Sequence, residues 1–545
     1  MNYQALTLGP IYKTSQKAES TKGLWAASYL FSFLMKTIIE KLQKSGVAAN
    51  DFVIPLVADS RLFQPQKGAG LFPDRLIFKT TDTDFEKLNN AIQQALKEFG
   101  ALTQEAVKKQ MKAEKATIPA TFYDDYANYL QKYLLIYGIS KELPDTANVI
   151  EECNKSLSVI EMQQPILYEQ SIDFFYYLFE GINKSSLPQR AGLINGRFTS
   201  IFEISSGELQ LLEADNYDFV IECYLDSEQK SKQEQNAEPA KKSPEQEAID
   251  NFKSYFPNEF KRRHKYIAIV SADGDNMGKA VEQINKKDKQ LVAEVGKVLF
   301  DFNISAIGII QEYGGKSIFL GGDDLLFFAP ITYGQHKTVF GLMDSISEDY
   351  NQKFDALFKK CTDTNPDFWK NEEGQTIAPP TLSFGASITY YKFPLFEAVS
   401  AANNLLHEAK KGAKNAVAFQ ILKHSGQFFG ARISKLQTTY SDYFVPILNN
   451  VLDDNSFLSS VQFQLRNTAD VLAVALEQGR TSVENYFDNF FNEPIHGQKK
   501  DFMDDVRGFV CQAYEDSKDI KTTLDIVYST LRTFQFLNQK DNDDE

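Results

Sequence analysis

Residues 316–329 read Lys-Ser-Ile-Phe-Leu-Gly-Gly-Asp-Asp-Leu-Leu-Phe-Phe-Ala, two apolar runs around a Gly-Gly-Asp-Asp centre. The pattern predicts a tight β-hairpin with carboxylates at its tip, Gly321 and Gly322 taking the positive φ of the turn. Asp323 and Asp324 repel each other unless compensated, and a divalent cation is a useful partner for such a pair. A second acidic cluster lies about fifty residues upstream, where the β-prone run Tyr266-Ile-Ala-Ile-Val270 ends in Ser271-Ala-Asp-Gly-Asp-Asn-Met-Gly-Lys279. Asp273, just past that strand, would stand beside the hairpin, and the three carboxylates could hold two Mg²⁺ or Mn²⁺ ions. One ion would acidify an attacking ribose hydroxyl, and both would clamp the reacting α-phosphate. Each motif alone reads more often as a polar turn. Their co-occurrence, each on a strand end and separated by a long helix, is the layout of a palm domain, which joins nucleotides by phosphoryl transfer.

Lys410, Lys411 and Lys414 lie where a helix ends and a strand begins, and are candidates to hold triphosphate oxygens as point charges. Favourable placement of cations at a helix C-terminus explains one of them as well, but less readily all three. Ser383, in Leu-Ser-Phe-Gly-Ala-Ser, offers a hydroxyl to a nucleotide or is a structural strand serine.

The elements that must position these residues follow from the rest of the chain. The protein has 545 residues, 43% apolar and 13% aromatic, with a formal net charge of −15. Several cores are expected, and any RNA contact must be local or shared with basic partners. The cysteines Cys153, Cys223, Cys361 and Cys511 have no Cys-x-x-Cys spacing, so no zinc site is expected, and free thiols in a reducing compartment are. Five histidines occur, all from His264 onward and none next to an aspartate, so a His/Asp metal nuclease has no ligands. Neither a signal peptide nor a membrane-spanning run is recognisable, which makes the cytoplasm the default.

The predicted fold is α+β: two ferredoxin-like palm domains, the first degenerate and the second catalytic, with a helical spacer and a C-terminal helical domain. Residues 1–117 read as strand–helix–strand–strand–helix, a palm without acidic strand ends. Residues 118–225 read as mostly helical, and 226–249 as a flexible polar linker. The catalytic palm takes 250–425, with 355–380 as an inserted loop. Residues 426–545 read as amphipathic helices: 436–452, 457–477, 483–491, 502–514 and 522–536.

The chain resembles the large subunit of type III-B (Cmr) CRISPR effector complexes, a polymerase/cyclase palm family. The resemblance rests on Gly9-Pro10, Gly23-Leu-Trp-Ala-Ala-Ser-Tyr-Leu30, Asp273-Gly-Asp-Asn-Met-Gly278, Gly-Gly-Asp-Asp at 321–324, and Lys410 with Lys414-Asn415, in the family's order. It implies assembly with guide RNA, target RNA and smaller Cmr subunits. It implies that target RNA switches on synthesis of a second messenger from ATP, cyclic oligoadenylate by family default. Asp273 and Asp323 would be metal ligands with the Gly274 carbonyl, and Asp324 a further ligand or an aid to hydroxyl activation. Gly321, Gly322, Ser383, Lys410, Lys414 and Asn415 would contact the nucleotide.

Three departures from the family pattern stand out. The chain opens directly at the first palm, so no HD nuclease activity is expected. The four-cysteine zinc finger of many members is missing. Phe72-Pro-Asp-Arg75 has Asp74 where the family more often has Asn. A carboxylate there favours a cationic acceptor such as S-adenosylmethionine, which some branches are thought to join to AMP. Alternatively, Asp74 merely pairs with Arg75 or a nearby lysine. The rival of another class is an inactive scaffold that holds guide and target RNA, and a weaker one is a stand-alone nucleotide cyclase.

Overall fold

A computed structural model describes residues 1–82, 84–144, 147–162, 172–193, 198–211, 244–288, 291–334, 337–449, 455–490 and 500–539. In the first palm, β1 (Asn2–Gly9), β2 (Phe52–Ile54), β3 (Arg75–Thr80) and β4 (Leu135–Glu142) form one sheet in the order β2-β3-β1-β4. All pairings are antiparallel, and β1 is central between β3 and β4. Helices Thr21–Lys44 and Glu86–Ala113 follow β1 and β3. The chain order β-α-β-β-α-β with this strand order is ferredoxin-like.

β4 is the first departure from the sequence reading, which put its residues in a helical spacer. The run Leu135-Ile-Tyr-Gly-Ile-Ser-Lys-Glu142 alternates half-buried and exposed residues and completes the first sheet along β1. The first palm therefore extends past 117. Residues 226–243 of the expected linker lie outside the described residues, and a helix Pro244–Tyr255 begins inside its predicted C-terminal end.

The second sheet is built from β5 (Tyr266–Asp275), β6 (Lys316–Gly321), β7 (Asp324–Pro330), β8 (Thr381–Tyr390), β9 (Ala416–Leu422) and β10 (Phe428–Ser434), in the order β10-β9-β8-β5-β7-β6. Its β6-β7-β5-β8 part repeats the strand order of the first palm. β9 runs parallel to β8 after the helix Leu395–Ala409, and β10 returns antiparallel. β10 falls where the sequence predicts the C-terminal helical domain; it is a short strand, opens on the exposed Phe428, and gains its place by pairing with β9. The expected loop 355–380 is helical to Thr364, since Val339–Thr364 keeps burying Phe354, Leu357, Phe358 and Cys361. Beyond it, Trp369 stacks on Phe358 with centroids 3.5 Å apart.

β5 is buried along nearly its whole length, as the central strand of a sheet covered on both faces must be. One covering element comes from the other palm. Leu24 of helix Thr21–Lys44 packs with Ile267, Ile269, Ile318 and Phe328, and Ser28 Oγ donates to the Ile318 carbonyl at 3.0 Å. The palms are further joined by Arg61, which pairs with Asp301 at 2.7 Å.

The C-terminal region is helical over 439–448, 455–467, 469–478, 480–490, 500–517 and 520–538. The single helix expected over 457–477 is broken at Thr468. Helix Ile520–Asn538 lies on the palm: Ser529 Oγ donates to the Gly430 carbonyl at 2.7 Å, and Phe536 meets the Tyr266 ring edge-on. Among the described residues no helix is long and apolar enough to cross a membrane.

Candidate active site

The hairpin is present, with Gly321 paired to Asp324 and Gly322-Asp323 as the two turn residues. Only Gly322 has positive φ (67°). Gly321, expected to share that role, ends β6 in ordinary backbone. A side chain there would strike the Phe319 ring, the added Cβ lying 3.2 Å from its Cε2.

Asp273 and Gly274 lie at the end of β5, next to the hairpin because β5 pairs with β7 as far as Ala272–Leu325. Gly274 permits the approach of the turn: a Cβ there would lie 2.7 Å from the Asp323 Cβ. This reason for Gly in Asp-Gly-Asp is invisible in sequence, since the contact is made by a residue about fifty positions away. Lys410 reaches over from the end of helix Leu395–Ala409. Its ammonium bonds the Asp273 carboxylate and also donates to the Gly274 carbonyl at 3.0 Å. A cation thus bridges two of the oxygens that the motif assigns to a metal ion.

Burial, then the negative charge of Asp273, pushes the Asp323 carboxyl up to about 6, Lys410 opposing. Asp324 is raised by the same two causes and by Asp323. Carboxylates crowded in this way resist ionisation until positive charge arrives. Among the described residues, no group of three or more His, Cys, Asp or Glu side chains is arranged to hold a metal as they stand. The donors nevertheless fit one: Asp273, Asp323, Asp324 and the Gly274 carbonyl offer only hard oxygens, and an ammonium already bridges two of them.

Two expected nucleotide contacts are placed differently. Ser383 is fully buried and donates to Asp275 at 2.7 Å, so its hydroxyl is not offered outward. Asn415 is buried, and its backbone N–H donates to the same carboxylate at 2.9 Å. Asp275 also accepts from Thr381 Oγ1 at 3.2 Å. It is a positioning residue that ties β5, β8 and the 410–415 turn together, and it was missed because a fully buried aspartate looks the same in sequence as an exposed one. Lys414 sits in that turn at φ 60°, half-exposed and without an ion pair among the described residues.

Beneath the carboxylates lie two further groups that the sequence did not single out. Tyr350, from helix Val339–Thr364, has its hydroxyl buried without a hydrogen-bond partner, and its pKa is raised by burial and then by Asp323, Asp275 and Asp273. Lys435, just after β10, sits over the Phe384 ring and donates to Ser347. Burial lowers the Lys435 ammonium to about 7.

Asp74 is half-buried just before β3. It does not pair with Arg75, which bonds Glu161 at 2.8 Å. Burial raises the Asp74 pKa, and its charge in turn raises that of Asp324, so the two carboxylates share one region. Asp74 lines a cavity of about 310 Å³ together with Thr7, Tyr12, Lys13, Tyr137 and Glu161.

Residues 266–418 match the family model of the Cas10/Cmr2 second palm domain, and residues 3–113 that of the N-terminal region of the CRISPR-associated protein Cmr2. The CRISPR system Cmr subunit Cmr2 of Pyrococcus furiosus is 25% identical over 191 residues, which cover 30% of this chain and 19% of that protein. The chain therefore spans about a fifth of that relative's length. A type III-B Cmr-beta structure in its apo state matches with TM-score 0.50 at 10% identity, covering 89% of this chain and 77% of that one. A Csm1–Csm4 cassette in complex with cA4 matches with TM-score 0.41 at 10% identity, covering 76% and 53%.

Proposed function

The chain belongs to the Cmr2 type of the Cas10 palm proteins, and on that premise we propose that its second palm is a metal-dependent nucleotidyltransferase. It makes a second messenger from ATP when target RNA binds an RNA-guided complex of Cmr subunits. The observation that carries the reading is that the Lys410 ammonium bridges the Asp273 carboxylate and the Gly274 carbonyl while Asp323 packs against Gly274.

Asp273, Asp323 and Asp324 would hold Mg²⁺ or Mn²⁺ with the Gly274 carbonyl. A bound divalent ion supplies the charge that polarises an α-phosphate and acidifies a nearby hydroxyl. Lys410 then exchanges Asp273 for a phosphate oxygen, which its flexible stem allows. Lys414 provides a second ammonium for the triphosphate. The acceptor hydroxyl attacks the α-phosphorus, the bond to the bridging oxygen breaks, and pyrophosphate leaves. Where Asp324 is not itself a ligand, its carboxylate would instead take the proton of the attacking hydroxyl.

Cyclic oligoadenylate is the product when ATP is also the acceptor. A second reading, transfer of AMP to S-adenosylmethionine, is favoured by Asp74: it lines a cavity, its charge acts on Asp324, and it has no ion pair among the described residues. A cationic acceptor complements it, and a second triphosphate does not.

The test is product analysis by mass spectrometry. The assembled complex is incubated with target RNA, ATP and Mn²⁺, with and without S-adenosylmethionine. Pyrophosphate release with an adenylate product is expected. Its absence from a complex that binds guide and target RNA normally would favour an inactive scaffold.

A further inference from the structure

A second cavity lies far along the sheet from the hairpin, between the β9–β10 turn and helices Asn455–Asn467 and Ile520–Asn538. Its volume is about 610 Å³, within the range of small-molecule sites. Lys423, Arg466 and Arg532 line it, and among the described residues no aspartate or glutamate does. In a chain of net charge −15 that composition is unusual. Most described arginines have a carboxylate partner, as Arg61, Arg75, Arg263, Arg480 and Arg507 do. Lys423, Arg466 and Arg532 have none among the described residues. Burial lowers the pKa of Lys423 and of Arg532; Arg262 and Arg532 lower Lys423 further, and Arg466 lowers Arg532 against the opposing Tyr528. Three cations that face one space, with no carboxylate partner among the described residues, are relieved by an anion.

The rim adds a second feature. Phe428 and Phe463, each 64% exposed, flank the same cavity. Exposed rings next to cations form a platform for a planar group that carries negative charge. The walls are held in place. Arg532 stacks over the buried Phe429 ring at 4.5 Å. Tyr528 donates to the Gln462 carbonyl at 2.5 Å, and Gln535 to Ser459 Oγ at 2.7 Å, which fixes the two helices against each other.

We propose that this cavity binds a nucleotide unit, its phosphate held by Lys423, Arg466 and Arg532 and its base stacked on Phe428 or Phe463. A single-stranded RNA segment and a free nucleotide are the two sources of that chemistry. An acidic peptide would satisfy the cations but leave the exposed rings without a planar partner. The site is separate from the palm chemistry and needs no metal.

The test uses the full-length protein with EDTA present, which keeps divalent ions from the palm. Three probes are titrated: a fluorescein-labelled ten-nucleotide single-stranded RNA, ATP, and a ten-residue glutamate peptide. Phe463→Ala should weaken RNA or ATP binding roughly five- to a hundredfold. Arg466→Glu should weaken it comparably and lower the salt slope of RNA binding by about 0.7. Both residues are exposed, so unchanged thermal melting separates lost binding from misfolding. The probe that responds identifies the source. Unchanged RNA and ATP binding in both variants, or binding of the glutamate peptide alone, overturns the proposal. Loss of palm activity alone would leave it standing, because the binding is measured without metal.

Discussion

The first and second palms use one strand order and differ at the strand ends. In the second palm, β6 and β7 are joined by Gly322-Asp323 alone, and β7 opens on Asp324. In the first, β2 ends at Ile54 and β3 opens on Arg75, with residues 55–74 between them. Where the second palm sets the Asp323 carboxyl against Gly274, next to Asp273, the first neutralises its edge: Thr7 donates to Glu161 at 2.6 Å and Arg75 pairs with it at 2.8 Å. Asp74, just before β3 as Asp323 is just before β7, is a carboxylate of the first palm that acts on Asp324 of the second. A shared scaffold thus separates two tasks: one palm crowds carboxylates that a lysine only partly compensates, and the other contributes Asp74 in the same region.

The largest effect expected from breaking this difference is that of Asp323→Ala with Asp324→Ala. Messenger synthesis should fall to background while melting temperature and complex assembly stay unchanged. The carboxylates stand at a hairpin tip and hold no core together. Undiminished pyrophosphate release from the double variant would remove the palm assignment.

Gly274→Ala tests the close approach that the first palm lacks. The added methyl must displace the Asp323 carboxyl, and a shift of about 1 Å at a reacting centre costs about a hundredfold in kcat. Wild-type kcat in this variant would show that the turn need not sit against β5.

Asp74→Asn sharpens the contribution of the first palm. If the acceptor is cationic, use of S-adenosylmethionine should fall about ten- to a hundredfold, since a charge-assisted contact is worth ~1.5–3 kcal/mol. If the acceptor is ATP, yield should hold or rise. Assays with each acceptor offered separately read the two signs, and no change in either would leave Asp74 without a role in acceptor choice.

Asp275→Ala is expected to have the smallest effect, and on stability. It leaves Ser383, Thr381 and the Asn415 N–H without their acceptor, a loss of about 1–3 kcal/mol by urea unfolding. An unchanged urea midpoint would show that the 410–415 turn is held by other contacts.

The elements that were legible in sequence were those whose own pattern declares them. The helices Thr21–Lys44 and Glu86–Ala113 carry apolar residues at helical spacing, and β5 and the hairpin are apolar runs that end in glycine and aspartate. β4 and β10 were not legible, because each gains its place by pairing with a strand already formed. Ser383 could serve a nucleotide or the strand by its sequence, and Asn415 follows from the resemblance alone; that both are buried against Asp275 was not legible in either.

The sequence by itself determined the type of chemistry on offer: three carboxylates on strand ends, a glycine turn to present them, and lysines at a helix end. These follow from residue type and short spacing, which local backbone preferences convert directly into structure. Only the tertiary structure decided which of these groups face one another. It brought Lys410 onto Asp273 and Gly274, placed Asp323 against a glycine that has no side chain to exclude it, and carried Asp74 from another domain to the neighbourhood of Asp324. The reason is that Coulomb interaction and burial depend on distance through space, and pairing in a sheet sets those distances between residues far apart in the chain.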